Sequence, residues 1–262
     1  MSSLEQALAL ILAAHAQTIS VSAHDLATGE RVELRARESL HAASTMKVAV
    51  LLAAYRLPVD LEQPVRVENR FTSLADGSPF AVDPKDDDDP WPYTQLGHEV
   101  PLRVLLERMI VRSSNLATNL AMRTLRVHEV QRICRELGAK DIRILRGVED
   151  LEAHAKGLDN TATAHDLALL LEAMPPAGIE ILLRQELNEG IPSGLPPGTR
   201  VAHKTGDITA HYHDAALVFA AGGRKPYSLV VMTRGFATKQ AAAEVVGEIS
   251  RTVYKQWVDT TR

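Results

Sequence analysis

The chain has 262 residues, a formal net charge of −4, 45% hydrophobic and 24% charged residues, and one cysteine. That is the balance of an ordinary globular protein, long enough for one large domain or two lobes. It excludes the basic surface that nucleic acid wants, an internal disulfide, and an apolar run of membrane-spanning length. Cys134 lies among Val130, Ile133 and Leu137 and reads as a small buried hydrophobe rather than a catalytic thiol.

Residues 3–16 read as a first amphipathic helix. The run Ala7 to Ala14 resembles an export signal, but no Lys or Arg precedes it and Glu5 sits where positive charge belongs. The expectation is a cytoplasmic protein, or a periplasmic or secreted mature form whose signal has been removed. Thr18 to His24 alternates at period two, a turn follows at Asp25 to Glu30, and Arg31 to Ala36 supplies the second strand of a hairpin.

Next comes Leu40-His41-Ala42-Ala43-Ser44-Thr45-Met46-Lys47, running into Val48 to Ala54, which is apolar or small on every side. A helix of that kind is buried. Ser44 and Lys47 are three apart and share a helix face. A lysine deprived of water, or crowded by other cations, is neutral enough to take a serine proton. The plain alternative is a helix start, with Ser44 or Thr45 as cap and Lys47 solvated.

Residues 59–100 read as irregular and rich in Pro, Asp and Gly. The run Asp86 to Asp89 reads as a solvated loop, and adjacent aspartates without an ordering glycine make a poor cation cage. Trp91 and Tyr93 either line a cleft or pin this loop to the body. Helices follow at Val100 to Met109, Leu116 to Leu125 and Glu129 to Leu137, the last stopping at Gly138. Ile142 to Leu145 is a short strand-like piece. Thr161 to Met174 is helical, Pro175-Pro176 ends it, and Ile179 to Asn188 is another helix. Arg200 to Thr205, His213 to Ala221 and Tyr227 to Thr233 read as strands, with a turn at Gly222-Gly223, before a last helix from Lys239 to Val258.

Strands at both ends and helices between them predict an α+β fold. It has a five-stranded antiparallel sheet flanked by N- and C-terminal helices, with an inserted all-helical lobe. The sheet lobe is expected at 1–38 and 199–262 and the helical lobe at 39–198, with the active site between them.

Three patterns then stand in order: Ser44-x-x-Lys47, Ser113-Ser114-Asn115 and Lys204-Thr205-Gly206. Taken singly they read as helix caps and a strand end. As an ordered set the chain resembles the class A serine β-lactamases and the related penicillin-binding proteins. The surroundings match too, at Met109-Ile110-x-x-Ser113-Ser114-Asn115-Leu116-Ala117-x-Asn119 and at Leu158-Asp159-Asn160-Thr161, which resembles the close of the family's Ω-shaped loop.

The resemblance implies that Ser44 attacks a carbonyl and Lys47 helps deprotonate it. Ser113 would relay a proton to the leaving group while Lys204 holds its hydroxyl, and Asn115 would bind Lys47 and the substrate amide. Lys204 and Thr205 would bind a substrate carboxylate, Gly206 would let substrate lie against the strand, and the N–H groups of Ser44 and Asp207 would form an oxyanion hole.

Three departures stand out. Ser114 replaces the family's aspartate. In the loop from Arg146 to His154, Glu149 is the nearest match to the deacylating glutamate, but Ala153 stands where an asparagine is expected. Where the family often has an arginine, this chain has His213-Asp214. His211-x-His213 is read as turn and packing residues, not as a zinc site.

The expected function is opening of β-lactam rings through an acyl-Ser44 intermediate. The alternatives are an esterase or D-Ala-type peptidase with slow β-lactam deacylation, and a non-catalytic binding protein. No metal or cofactor is expected. The partner would be a small-molecule β-lactam or ester, with no nucleic acid and no membrane, and the chain a monomer.

Overall fold

The computed structural model describes residues 2–221 and 223–259. Helix α1 (Ser3–Ala13) is capped by the Ser2 hydroxyl, which accepts from Glu5 N–H, and it buries Leu4, Leu8 and Leu12. Strands β1 (Thr18–Asp25) and β2 (Arg31–Leu34) form the hairpin. The chain then makes helices α2 (Lys47–Arg56), α3 (Leu102–Val111), α4 (Asn115–Leu125), α5 (Val127–Glu136), α6 (Ala164–Glu172) and α7 (Pro176–Leu182). It returns through strands β3 (Arg200–Ile208), β4 (His211–Phe219) and β5 (Tyr227–Arg234), and ends in helix α8 (Lys239–Trp257). The sheet is antiparallel, in the order β2-β1-β5-β4-β3, with Val21 opposite Val231 and His213 opposite Gly206.

Both faces of the sheet are covered. Ile19, Val21, Leu229 and Val231 pack with Leu4 and Leu8 of α1 and with Val246, Ile249 and Val253 of α8. The other face turns Ala202, Ala215, Leu217, Val230 and Met232 into a larger core built on α2, α3 and α6. A sheet buried on both faces has strands that read as nearly unbroken apolar runs, as β5 does. Helix α2 is buried from Lys47 to Ala54, as its apolar circumference requires.

Several boundaries differ from expectation. Helix α1 ends at Ala13, and the piece at Ile142 to Leu145 makes one bridge, Arg143 to Thr161. The helix expected to reach Met174 stops at Glu172, short of Pro175-Pro176 as expected, but Pro176 has a second role. It opens α7, where its missing N–H is harmless at a first helical position, and α7 stops at Leu182. The segment 59–100 is less irregular than its composition suggests. Short pairs join Pro64–Arg66 to Glu99–Pro101 and Phe71–Thr72 to Pro79–Phe80. Of the expected Gly222-Gly223 turn, Gly222 lies outside the described residues. Among the described residues no helix is long and apolar enough to cross a membrane.

The turn Ile191–Gly194 lies directly on α8, with Ser250 Oγ donating to Ile191 O at 2.8 Å. A Cβ at Gly194 would stand 2.1 Å from Gly247 O, a backbone atom that cannot step aside. Gly194→Ala is therefore expected to destabilise the fold by about 1–3 kcal/mol through overpacking. Urea unfolding measures this; an unchanged midpoint would refute the close contact.

Candidate active site

Ser44 sits in a 3₁₀ turn, Ala43–Met46, at the mouth of α2. Ala43 has φ +45°, an unfavourable value for a residue with a Cβ. Local bonds hold the turn: Ala43 N–H donates to His41 Nδ1 at 3.0 Å, and Thr45 Oγ1 donates to Ala42 O. Strand β3 presses on it from one side. A Cβ on Gly206 would lie 3.1 Å from Ser44 N and 3.0 Å from Thr45 N, so only glycine lets strand and turn meet this closely.

Lys47 is fully buried. Its Nζ donates to Ser113 O at 2.7 Å, Asn115 Oδ1 at 2.9 Å and Ser113 Oγ at 3.2 Å. Lys204, equally buried, donates from Nζ to the same Ser113 Oγ at 3.0 Å and to Thr205 O at 2.9 Å. Loss of water pushes Lys47 down to about 8, against the pull of Asp87, Asp88 and Glu149. Burial, and then the neighbouring Lys47 charge, hold Lys204 well below the ordinary lysine value. Ser113, with φ +58°, is the hydroxyl between two ammonium groups.

The start of α4 carries Ser113 and Asn115, and its anchor comes from far away. Asp87 Oδ2 accepts from Asn115 N–H at 3.0 Å, Leu116 N–H at 2.8 Å, Ser114 Oγ at 3.2 Å and Tyr93 Oη at 3.0 Å. Ser114 Oγ in turn accepts from Ala117 N–H. The aspartate absent at position 114 is thus replaced by a carboxylate 27 residues earlier. This corrects the solvated-loop expectation for Asp86 to Asp89: Asp87 and Asp89 are buried, while Asp86 and Asp88 are exposed. Trp91 and Tyr93 pin the loop, with the Arg108 guanidinium 4.6 Å from the Trp91 ring centre.

Glu149 lies across the site, half-buried, with φ +62°. Its Oε1 accepts from Asn115 Nδ2 at 3.3 Å. Burial and the Asp86 charge raise its carboxyl, with Lys47 opposing. The residues beside it are fixed on both sides. Asn119 holds Val148, accepting its N–H at 2.7 Å and donating to its carbonyl at 2.9 Å. Asp150 accepts from Ser73 Oγ at 2.7 Å and Leu74 N–H at 2.8 Å. The loop is closed at its neck by Arg146 and Asp159, 2.9 Å apart. Asn160 Oδ1 accepts from Leu145 and Arg146 N–H beside it.

These parts surround a cavity of about 510 Å³. Ser44, Ser113, Asn115, Glu149 and Asp207 line it, with Lys47, Lys204, Thr205 and Gly206 buried behind them. Burial raises the exposed-edge Asp207 carboxyl, and Lys239, 3.5 Å away, opposes that. Among the described residues, one group gathers atoms suited to a metal: His41, His154 and Asp159, within 4.8 Å of one another. Three of their atoms are already engaged. Asp159 Oδ1 is shared by Arg146 and by His154 Nδ1 at 2.8 Å. His41 Nδ1 accepts from Ala43, so its Nε2 carries the proton, not the lone pair a metal needs. Burial lowers the His41 ring to about 4. His213 has both nitrogens occupied, by His41 O and Thr233 N–H, and Asp214 accepts from Ile191 N–H and pairs with His203.

Sequence reasoning missed Asp87, His41, Arg146 and Asp150. A buried partner for the first turn of α4 was the available signal, because Ser114 alone leaves Asn115 and Leu116 N–H unpaired. Asp87→Ala is expected to lower stability by about 3 kcal/mol by orphaning those donors, and Asp87→Asn by less, since one acceptor oxygen survives. Denaturant unfolding measures both; an alanine variant as stable as the parent would refute the anchoring role.

The fold is that of a large group of solved structures. PBP-A is 24% identical, with a TM-score of 0.81, over 99% of this chain and 97% of that one. A β-lactamase from Xanthomonas campestris pv. campestris is 19% identical, with a TM-score of 0.79, over 95% and 96%. At these identities the likeness is one of fold. An ancestral (GNCA) class A β-lactamase is 26% identical, with a TM-score of 0.78, over 97% and 100%. No curated protein matches the chain. The family model of the β-lactamase enzyme family matches residues 3–257, nearly the whole chain, and this protein belongs to that family.

Proposed function

We propose that the protein is a serine hydrolase that opens β-lactam rings through an acyl-Ser44 intermediate. The observation that carries this reading is the convergence of two buried ammonium groups, Lys47 and Lys204, on one hydroxyl, Ser113 Oγ. Such an arrangement is costly for stability and finds its use in moving a proton.

With Lys47 lowered to about 8, about a tenth of it is neutral at pH 7. The neutral amine takes the Ser44 proton as the oxygen attacks the lactam carbonyl. The proton passes from Lys47 through Ser113 Oγ to the lactam nitrogen as the C–N bond breaks, leaving a ring-opened ester on Ser44. Ser44 and Asp207 N–H would stabilise the oxyanion, and Lys204 and Thr205 would receive a substrate carboxylate. Glu149, raised by burial and therefore a stronger base than a free carboxylate, would activate the water that cleaves the ester. Its bond to Asn115 supports this role, because the same amide side chain holds Lys47.

Penicillin G is a suitable probe, since a point mutant of PBP-A forms an acyl-enzyme with it. Intact mass should show a penicillin adduct that Ser44→Ala abolishes; an adduct surviving in that variant would exclude Ser44 as nucleophile. With a chromogenic cephalosporin, Glu149→Gln should slow turnover by about 100-fold or more while the adduct accumulates. Undiminished turnover would remove Glu149 from the mechanism. Turnover of a p-nitrophenyl ester beside a persistent penicillin adduct would move the substrate class to esters.

The pH dependence follows from the sign of the Lys47 shift. The reactive form is the neutral amine, so kcat/KM should climb as pH rises towards about 8 and level off above it. Because Lys204 shares the hydroxyl, the limb belongs to the coupled pair. A rate constant across pH 6 to 9 would exclude lysine as base.

A further inference from the structure

A second cleft, about 590 Å³, opens on the far side of the Glu149 loop. One wall is the hairpin of Phe71–Thr72 and Pro79–Phe80; the other is α4, with Met122 and Val127 at the base. The Phe71 and Phe80 rings stand 5.6 Å apart, tilted at 40° and half-buried, so flat apolar surface is available inside. Two guanidinium groups edge it. Arg123 lies 5.8 Å from the Phe71 ring centre and reaches Arg66 O and Glu68. Arg70 is exposed and has no hydrogen-bond or ion-pair partner among the described residues. Among the described residues no carboxylate lines the cleft. Paired aromatic faces with an unneutralised guanidinium at the rim fit a flat apolar body bearing one negative charge.

Both walls also grip the residues on either side of Glu149. From α4, Asn119 holds Val148 by two hydrogen bonds. From the hairpin, Ser73 Oγ and Leu74 N–H hold Asp150. There is no slack at the junction: a Cβ on Gly147, which lines the cleft, would lie 2.8 Å from Asn119 Oδ1. Any change in the spacing of the two walls is therefore delivered to Glu149, whose φ of +62° already makes it a poorly tolerated backbone position.

We propose that this cleft is a second ligand site, for a small aromatic anion, and that its occupancy sets the position of Glu149. The coupling half of the proposal rests on the role assigned to Glu149 above; the binding half does not. Coupling of this kind needs a ligand that favours one spacing of the walls over another.

The test uses the full chain and 1-anilinonaphthalene-8-sulfonate, a fluorescent aromatic anion, beside uncharged N-phenyl-1-naphthylamine. One saturable site is expected for the sulfonate. Its affinity should fall by about tenfold or more in Arg70→Glu and in Phe80→Ala, and the neutral probe should bind the parent about tenfold more weakly. Arg70 is exposed, so its variant folds as the parent does even if Phe80→Ala is destabilised. Equal affinities in parent and Arg70→Glu would overturn the site. Bound sulfonate should alter the lifetime of the penicillin adduct on Ser44 by about threefold or more, and not in Phe80→Ala. An unaltered lifetime at saturation would overturn the coupling. If no adduct forms at all, the functional reading above fails, and the fluorescence titration still decides the site.

Discussion

The site depends on keeping the Lys47 ammonium out of water. Removing an ammonium from solvent carries a large penalty, and here three oxygens from the stretch 113–115 offset part of it. A second buried cation, Lys204, then shares one of those oxygens. Lost hydration makes Lys47 readily deprotonated, and burial together with the Lys47 charge does the same to Lys204. The pair also makes the arrangement unforgiving: the first turn of α4 must stay where it is, or both cations lose their acceptor. The backbone at Ser113 is held in a left-handed conformation, its carbonyl bound by Lys47 and its neighbours bound by Asp87. Strain at Ala43, Ser113 and Glu149 thus lies around one cavity, where the surrounding bonds over-determine it.

The parts of this legible in the sequence were those with local signatures. Period-two alternation marked β1, short runs bounded by turns marked the other strands, and an unbroken apolar stretch marked α2. Ser44, Lys47, Ser113, Asn115 and Lys204 stood out because three short motifs in order resemble a family's set, and each motif is written in consecutive or nearly consecutive residues. What stayed hidden was the set of partners supplied across the chain. Asp87 sits in an aspartate run whose composition is that of a solvated loop, and nothing local distinguishes its buried members, Asp87 and Asp89, from exposed Asp86 and Asp88. That Pro176 also opens α7 was not legible, because a proline beyond the end of one helix can equally start a loop or the next helix, and only packing decides which.

The loop bearing Glu149 has Ala153 where the resemblance led us to expect an asparagine, yet it is not loosely held. The neck pair Arg146–Asp159, the Asn119 side chain and the Asp150 carboxylate fasten it at separate points. The last two fastenings reach α4 and the Phe71–Phe80 hairpin, and α4 also carries Asn115, a partner of Lys47. The base expected for the second half of a hydrolytic cycle and the groups expected for the first therefore share supports, and Asn115 joins them directly.

The strand order β2-β1-β5-β4-β3 has a consequence for how the molecule comes into being. The hairpin of β1 and β2 is synthesised early, but the strand that completes its other edge, β5, is made near the end, after all the intervening helices. Until then β1 presents an open edge, and the helical core around α2 lacks the sheet face that Ala215, Val230 and Met232 supply. Contacts so distant along the chain favour slow folding and a period of exposed apolar surface on the ribosome. It follows that Ser44 and Lys47 are made long before Lys204 arrives on β3. A nascent chain has the serine without its second cation, and the complete charge cluster exists only once the sheet has closed.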